Sequence, residues 1–525
     1  MRAGMRTSSI LSRRRAASAP RARRPSSRAL LACLLAAACG LGGCGGLTRS
    51  EYRRPALDVP AQWNAGQDAA AAAPVTGSSF AASEPWWRRF DDPQLDALIE
   101  RALRSNNNLA AAAMRLYSAQ LQSRLTDTNL TPDVTVSGSG SAARNLTRGG
   151  STLKSYTTTT NVSYELDFWG HLARQRDAAA FEAQATEYDR RAAALTLVGQ
   201  TATAYWQIAA LKRIAATTQE SIDTAERTLK FVHIQHVAGE ASDYEESQAR
   251  STLKTLEGEL SQIVAQLEAQ RNALAIIFDQ SPEHREPELD SLPIRAMPAM
   301  PAVVPADMLA HRPDLQAAET RLRETLAQAD AQRLAFYPSF SLFASVDTGG
   351  TSTTLADILR NPLGTLGATL SLPFIQWNTA ELTIKSSKAT FDTAVINFRQ
   401  TFYQALADTR SAWVASVQSE REVRSLKEAV EAARRAESLA EIRYRSGDTS
   451  LTDWLNLQQT RQQADVQLEQ AVYSQYVNAL TLFLALGGDP ASQALGVAGA
   501  AAPVQGASRG GAGADGMRLA GKARE

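Results

Sequence analysis

An internal repeat of about 207 residues constrains the fold of this 525-residue chain more than any other feature of its sequence. Landmark residues recur in the same order at offsets of 206 to 208 positions. These pairs are Pro132 and Pro338, Trp169 and Trp377, Trp206 and Trp413, Gly239 and Gly447, and Pro282 and Pro490. The sequence therefore predicts an internal tandem duplication, in which each half runs helix, strand, strand, long helix, tight turn, helix.

Each half contains one very long stretch that favours a helix. Residues 173–237 include no proline and only Gly199 as a helix breaker, and residues 380–445 include neither proline nor glycine. At 1.5 Å per residue these helices are about 97 and 99 Å long. Apolar and small residues follow a spacing of three and four, which predicts narrow seams of coiled-coil type. Helices this long cannot bury their seams in a compact monomer, so we expect the hairpins to pack beside copies of themselves.

The predicted strands alternate apolar and polar residues. The clear cases are 156–167 and 366–374, with weaker partners at 133–140 and 339–347. Alternation over about ten residues is typical of strands in a transmembrane barrel. When the pattern is taken alone, a hairpin of a water-soluble protein with one wet face is the favoured explanation. The enclosed segments 141–155 and 348–362 are rich in Gly, Ser and Thr, which suits loops on an outer surface.

Four strands cannot close a barrel, because transmembrane barrels have at least eight. Three chains would supply twelve strands, and closure would remove the unpaired strand edges that lipid cannot satisfy. The sequence thus predicts a mixed α/β membrane protein, in which a trimer forms one 12-stranded barrel above long α-helical hairpins.

The N-terminal segment resembles a secretion signal that ends in a lipidation site. Nine arginines precede an apolar run at 29–38, which is too short to span a bilayer. Leu41-Gly42-Gly43-Cys44 then matches a bacterial lipobox, so we expect cleavage before Cys44 and covalent lipid on Cys44. Two alternatives stay open: lipidation at Cys39, and an ordinary signal peptide with incidental cysteines.

Composition argues against several other classes of protein. From Cys44 onward the chain has a net charge of −8, which gives no electrostatic case for nucleic acid. No cysteine follows Cys44, so a disulfide framework, a thiolate metal site and a catalytic thiol are not expected. We find no glycine-rich phosphate loop and no supported Ser/His/Asp set, and we predict neither an enzyme nor a cofactor beyond the lipid.

Two weak metal signals are better explained by structure. His233 and His236 are spaced three apart on a predicted helix, and Met297 and Met300 flank prolines. Solvated or inter-helix histidines and a plain linker are the favoured interpretations. Glu165 and Asp167 are expected on a lumen face and at a strand end rather than as an acid–base pair.

The repeat and the composition predict six segments. They are a signal peptide at 1–43, a lipidated extension at 44–85, a first repeat at 86–282, a Pro-rich linker at 283–306, a second repeat at 307–490 and an Ala/Gly-rich disordered tail at 491–525.

Several motifs in this order resemble one known family. They are Glu51-Tyr52-Arg53-Arg54-Pro55, the run Trp86 to Leu95, Asn107-Asn108-Leu109 with Ala112, and the run His311 to Glu319. Together they resemble the TolC-like outer membrane factors of the NodT/OprM/CusC lipoprotein branch, over residues 44 to 490. The resemblance implies a homotrimer in the bacterial outer membrane with a twelve-helix periplasmic tunnel. It also implies a periplasmic adaptor and an inner-membrane pump of the resistance-nodulation-division type as partners.

The function implied is that of a passive exit duct for small molecules, whose identity the sequence does not predict. Two alternatives remain. One is the exit channel of a type I protein-secretion system, and the other is a periplasmic coiled-coil scaffold or adaptor without a pore.

The two predicted hairpin turns carry the candidate site residues. Gly239 and Gly447 favour the left-handed turn that ends a helix, and the serines that follow them begin capping boxes with Glu245 and Asp453. The resemblance implies that adaptors dock at these tips, including Thr449, and that Asp453, with Asn456 one turn later, lines a closed aperture. For Glu245 a capping role alone is favoured, whereas for Asp453 the gate role is favoured over capping.

Overall fold

The computed structural model describes residues 48–57, 85–144, 146, 150, 152–298, 311–351 and 362–488. The predicted signal peptide 1–43, Cys44, residues 299–306 of the linker and the tail 491–525 lie outside the described residues.

Seven helices and four strands can be assigned in this part of the chain. The helices are α1 (Pro93–Ser105), α2 (Asn107–Asp127), α3 (His171–Val237), α4 (Asp243–Ile277), α5 (Pro313–Leu334), α6 (Trp377–Arg445) and α7 (Leu451–Ala485). The strands are β1 (Asp133–Arg144), β2 (Thr152–Leu166), β3 (Ser339–Thr351) and β4 (Leu363–Ser371). The order helix, strand, strand, helix, helix therefore occurs twice. None of the described helices combines the length and the apolar character of a helix that crosses a membrane.

The chain divides into two compact units. The first contains Leu130–Arg174 and Asp330–Glu381 together with the described residues 48–51. The second contains the described residues within Tyr52–Asn129, Gln175–Ala329 and Leu382–Glu525.

The first unit is built on one antiparallel sheet with the strand order β1-β2-β3-β4. Its register places Val134 beside Val162, Val162 beside Ala344, and Ala344 beside Leu366. Residues paired across an antiparallel ladder point to the same side of the sheet. The alternation of each strand is therefore in phase with that of its neighbours.

The strand boundaries differ from those expected from the sequence. The prediction of a strand over 366–374 was wrong at its end, because β4 stops at Ser371 and Pro373 begins a 3-10 turn that ends at Ile375. Proline lacks the N–H that a ladder needs. The strands also extend into the segments expected to be loops, since β1 reaches Arg144 and β2 begins at Thr152. Ser141, Ala142 and Ala143 continue the ladder there, opposite Ser155, Lys154 and Leu153.

The second unit has its main core around aromatic side chains from the Trp86–Phe90 turn and from α3 and α7. Trp86 stacks on Phe483 with 5.4 Å between ring centroids, and Phe90 lies 5.0 Å from Trp206. All four of these side chains are buried. The Trp86 to Leu95 motif thus supplies large apolar side chains to a common core.

Polar residues of the same motifs fix the helix ends of this unit. The Asp92 carboxylate accepts from the backbone N–H groups of Gln94 and Leu95 and caps α1, where Pro93 is the first residue. Asn106 caps α2, and its side-chain amide donates to the carbonyl of Ile277 at 2.8 Å. The side chain that caps one helix therefore also holds the end of α4.

Candidate functional site

The sheet of the first unit has one apolar and one polar face. The mainly apolar face carries Val134, Val136, Tyr156, Val162, Tyr164, Leu166, Phe340, Leu342, Ala344, Val346, Leu366, Ala368 and Leu370, together with Thr158, Thr160 and Thr348. The mainly polar face carries Asp133, Thr135, Ser137, Thr157, Thr159, Asn161, Ser163, Glu165, Ser341, Ser345, Asp347, Thr365 and Thr369, together with Leu153, Phe343 and Leu363. Large side chains of the apolar face stay exposed, as Leu366 does at 85%. An exposed apolar face this extensive needs an apolar environment.

The height of the apolar face matches a membrane. On β2 it runs from Leu166 to Tyr156, ten residues along the strand. At about 3.3 Å per residue and a tilt of about 40°, this distance projects to about 25 Å along the membrane normal, which is the height of the apolar band of outer-membrane barrels. Tyr156 and Tyr164 lie near its two ends, where such barrels carry aromatic residues.

One end of the sheet is rich in aromatic side chains. Phe168 contacts Phe340 edge-on at 5.4 Å, and Trp169 lies 5.4 Å from Tyr337. The indole N–H of Trp169 donates to the carbonyl of Pro338 at 2.8 Å, which ties the end of β2 to the start of β3. Trp377 is 65% exposed after β4. Amphipathic rings at such a level suit a membrane–water interface.

The first described residues are attached at this aromatic end. The Thr48 hydroxyl donates to the carbonyl of Trp169 at 2.9 Å. Ser50 donates to the Asp330 carboxylate with its backbone N–H at 2.9 Å and its hydroxyl at 2.6 Å. The chain that follows position 44 is therefore fixed beside the end of β2.

The two hairpin turns of the second unit have the same backbone geometry. Gly239 has φ of 80° and Gly447 has φ of 77°. After each glycine the next N–H bonds back to a helix carbonyl, from Glu240 to Gln235 and from Asp448 to Arg443. These are Schellman turns, which explain the glycines, because the left-handed conformation is costly for other residues.

Side chains at the starts of α4 and α7 cap those helices. Ser242 and Glu245 form a reciprocal capping box, with the Ser242 N–H 2.8 Å from the Glu245 carboxylate. In the second tip the Ser450 hydroxyl oxygen accepts from the Asp453 N–H at 3.1 Å. The carboxylate of Asp453 accepts from the hydroxyls of Ser450 at 2.7 Å and Thr449 at 3.1 Å.

The Asp453 carboxylate is exposed and readily ionised. Hydrogen bonds from the hydroxyls of Ser450 and Thr449, and from the Ser450 backbone, hold the pKa of Asp453 below its ordinary value of 3.8. Asn456 is also exposed. Asp453 thus combines a capping role with a permanent negative charge at neutral pH.

The two hairpins contact each other near their tips. Val232, Ala440, Leu451, Trp454 and Leu455 form a small apolar cluster there. The Tyr444 hydroxyl lies 3.0 Å from the side-chain oxygen of Gln235 and bonds to it. The tips are therefore held as a pair by both apolar and polar contacts.

A buried ionic network lies further along the hairpins. Arg461 of α7 bonds to Glu437 of α6 at 2.6 Å and to Asp465 at 2.8 Å, and Asp465 also accepts from Arg434. Asp465 is 5% exposed. Removing one partner of such a network leaves buried charge behind, so the network resists separation of the two helices.

The histidines of the first tip face acidic residues of α4. His233 lies 3.3 Å from the Glu246 carboxylate, and His236 lies 3.3 Å from that of Asp243. Among the described residues no three potential ligands converge on a metal position. In this structure both histidines are inter-helix contacts.

The structure also shows a role for Arg312, which stood out in the sequence only as part of the run His311 to Glu319. The Arg312 guanidinium donates to the carbonyl of Ala485 at 2.9 Å and pairs with Asp314 at 2.7 Å. It thereby satisfies the end of α7 beside Gly487. Only the position of Arg312 just before α5 hinted at this function.

Comparison with known proteins identifies the family. Residues 98–278 and 304–488 match the outer membrane efflux protein family. The pyoverdine export outer membrane protein OpmQ of Pseudomonas aeruginosa is 29% identical over 484 residues, covering 89% of this chain and 97% of its own. The probable efflux pump outer membrane protein TtgC of Pseudomonas putida is 30% identical over 458 residues, covering 85% and 93%.

Solved structures agree with this match. The open state of the MtrE outer membrane channel of Neisseria gonorrhoeae superposes with a TM-score of 0.71 at 25% identity, covering 84% of this chain and 98% of the channel. These relatives are export and channel proteins rather than enzymes, and the resemblance drawn from the sequence motifs is confirmed. The chain belongs to the outer membrane efflux protein family.

Proposed function

We propose that the chain is the outer-membrane exit duct of an efflux system, through which drugs, toxic compounds or metal ions pass passively from the periplasm to the exterior. The observation that carries the proposal is the sheet whose exposed apolar face continues in register from β1 to β4. Its opposite face is polar, as the lining of an aqueous channel must be. The family and the names of the relatives, which concern export and efflux, favour efflux over protein secretion or a scaffold without a pore.

Three copies would close the barrel. The outer strands β1 and β4 each have one unpaired edge in the four-stranded sheet. Because the strands alternate in direction, β4 of one copy can pair antiparallel with β1 of the next, and three copies give an even, twelve-stranded barrel. Two successive parts of the chain, residues 98–278 and 304–488, match the same family, and this supports the internal duplication expected from the sequence.

Engineered disulfides test this closure. The sequence has no cysteine beyond Cys44, so introduced cysteines are not confounded by others in the sheet. Ser137→Cys in β1 is combined in turn with Thr365→Cys, Thr369→Cys or Ser371→Cys in β4. Within one chain β1 and β4 are three strand spacings or about 14 Å apart, too far for a disulfide.

We expect at least one pair to give covalent dimers and trimers on oxidation, with nothing larger, since the ring closes at three. Variants with a single cysteine are the control and should give no trimer. Crosslinked species beyond the trimer, or no crosslink at any of the three positions, would contradict the closed trimer.

A lipid on Cys44 would anchor the same end of the sheet. Thr48, which bonds to Trp169, is only four residues from Cys44. Four residues reach at most about 14 Å, so the lipid would enter the membrane close to the aromatic end. We expect Cys44→Ser to leave an uncleaved precursor whose mass lacks the acyl chains of the mature parent protein.

We propose a gate at the periplasmic entrance. In a trimer three copies of Asp453, with Asn456 one turn later, would surround the axis and attract cations. The low pKa of Asp453 supports a full charge at neutral pH. The turns at Gly239 and Gly447, with Glu245 and Thr449, would present the surface for a periplasmic adaptor that links the duct to an inner-membrane pump of the resistance-nodulation-division type.

Variants of Asp453 and of Ser450 separate gating from helix capping. Asp453→Asn removes the charge and keeps an oxygen for the two hydroxyls, whereas Ser450→Ala removes the cap and keeps the charge. If the carboxylate gates, Asp453→Asn and Asp453→Ala raise single-channel conductance and weaken block by hexamminecobalt(III), and Ser450→Ala changes neither. Unchanged conductance and block in Asp453→Asn would leave the residue with capping alone.

A further inference from the structure

The charged side chains of the sheet are segregated between its two faces. Within the described strands the polar face carries the acids Asp133, Glu165 and Asp347 and no base. The apolar face carries two bases, Arg144 and Lys154, and no acid in its described part. A basic pair on the face that is turned away from the proposed channel is not explained by lining that channel.

The two bases are neighbours at one end of the sheet. Arg144 pairs with Thr152 and Lys154 pairs with Ala142, so the bases are diagonal partners on adjacent strands. Such partners are about 7–8 Å apart, which lets their flexible side chains meet on one small group. Both are exposed, and no carboxylate of a described residue forms an ion pair with either.

The pair lies just beyond the apolar band. Lys154 follows Tyr156 outward by two residues on the same face. Two residues of a tilted strand project to about 5 Å, which places the bases at the depth of lipid headgroups. The Tyr156 ring covers Gly140, where an added Cβ would lie 3.2 Å from it. An apolar platform is thus present directly below the two charges.

The attachment of the chain near Thr48 indicates which leaflet of the membrane contains the two bases. Thr48 is fixed to Trp169 at the other end of β2, and the lipid anchor is proposed there. A periplasmic anchor enters the inner leaflet, so the basic pair belongs to the outer leaflet.

We propose that Arg144 and Lys154 form a binding site for the phosphate group of an outer-leaflet lipid. This inference rests on the proposed barrel. The guanidinium of Arg144 matches two phosphate oxygens with parallel N–H bonds, and the Lys154 ammonium adds a point charge. The ring of Tyr156 contacts the acyl chain of the bound lipid.

The test measures binding of lipid A to the purified full-length trimer by native mass spectrometry, with dephosphorylated lipid A as the second probe. The variant is Arg144→Gln with Lys154→Gln. A matched control, Lys388→Gln with Lys427→Gln, removes the same charge from exposed positions of α6. A charge-preserving variant, Arg144→Lys with Lys154→Arg, completes the set.

Each base near an anionic surface contributes a factor of about five in affinity, so the double variant should bind lipid A about 25-fold more weakly. The control should bind as the parent protein does, and the charge-preserving variant should retain most of the affinity. Dephosphorylated lipid A should bind parent and variant alike, and millimolar inorganic phosphate should not displace lipid A.

Equal lipid A binding by parent and double variant would overturn the site. Displacement of lipid A by inorganic phosphate would show that the site binds free phosphate rather than a lipid. Conductance of the same preparations separates this result from the proposed function. A conducting protein whose lipid A binding does not depend on the two bases refutes the site alone. A protein that does not conduct even with Asp453→Ala refutes the duct.

Discussion

Placing an arginine on each face of the sheet tests which face meets lipid. Val346 and Ser345 are adjacent on β3, and they pair with Thr160 and Asn161 on opposite faces of the same region. Val346 is 50% exposed, so its replacement sacrifices little packing within the chain. Val346→Arg and Ser345→Arg therefore differ mainly in the side of the sheet that receives the charge.

The expected loss of stability follows from the depth at which Val346 lies in the membrane. Thr160 lies four residues from Tyr156 and six from Leu166, so Val346 is within a few ångströms of the centre of the apolar band. An arginine facing lipid at that depth costs about 2–4 kcal/mol, or about 30- to 1000-fold in the folding equilibrium. An arginine on the polar face is solvated by the channel, and Asp347 lies on that same face two residues away, so its cost should be close to zero.

The assay is urea-dependent folding into phosphatidylcholine vesicles, with the folded fraction taken from heat-modifiable migration on gels. We expect Val346→Arg to lower the free energy of unfolding by the stated amount and Ser345→Arg to leave it nearly unchanged. Equal losses in both variants, or a larger loss in Ser345→Arg, would refute the assignment of the faces.

Two further predictions concern the helical unit. Gly447→Ala should lower the free energy of unfolding by about 1–2 kcal/mol from backbone conformation alone, since the added Cβ meets nothing within 4 Å. Gly487→Ala should lower it more, because the added Cβ would lie 3.1 Å from the Arg312 backbone. The midpoints of urea unfolding measure both losses. Burial, and then a hydrogen bond to Glu182, raise the pKa of Glu324 from 4.5 to about 7. Between these two pH values the folded state therefore binds more protons than the unfolded state. As a result, the free energy of unfolding falls as the pH rises from 4.5 to about 7. Glu324→Gln should flatten this dependence in urea midpoints taken from pH 4.5 to 8, and an unchanged slope would show that other groups cause it.

The long helices and their turns could be predicted because their determinants are local. The absence of proline between residues 173 and 237 predicts one continuous helix, and α3 indeed ends at Val237. Gly239 and Gly447 predict the left-handed turns, which have φ near 80°. Serine followed by an acid three residues later predicts the caps seen at Glu245 and Asp453.

Features that depend on distant partners could not be predicted in this way. The phase of the alternation between β2 and β3 requires the register, which joins residues about 180 positions apart. The buried network at Asp465 depends on which sides of α6 and α7 meet, and single-helix spacing does not fix that. The ends of the strands were misjudged because glycine and serine near Arg144 resemble loop residues when their ladder partners are unknown.

The conductance of the purified full-length protein in a planar lipid bilayer is the decisive measurement for the proposed duct. We expect discrete, uniform channel openings that favour cations, because the described polar face of the sheet carries Asp133, Glu165 and Asp347 without a base. Preparations that insert as trimers yet never conduct, even with Asp453→Ala at the proposed gate, would contradict a duct whose polar face lines an aqueous channel.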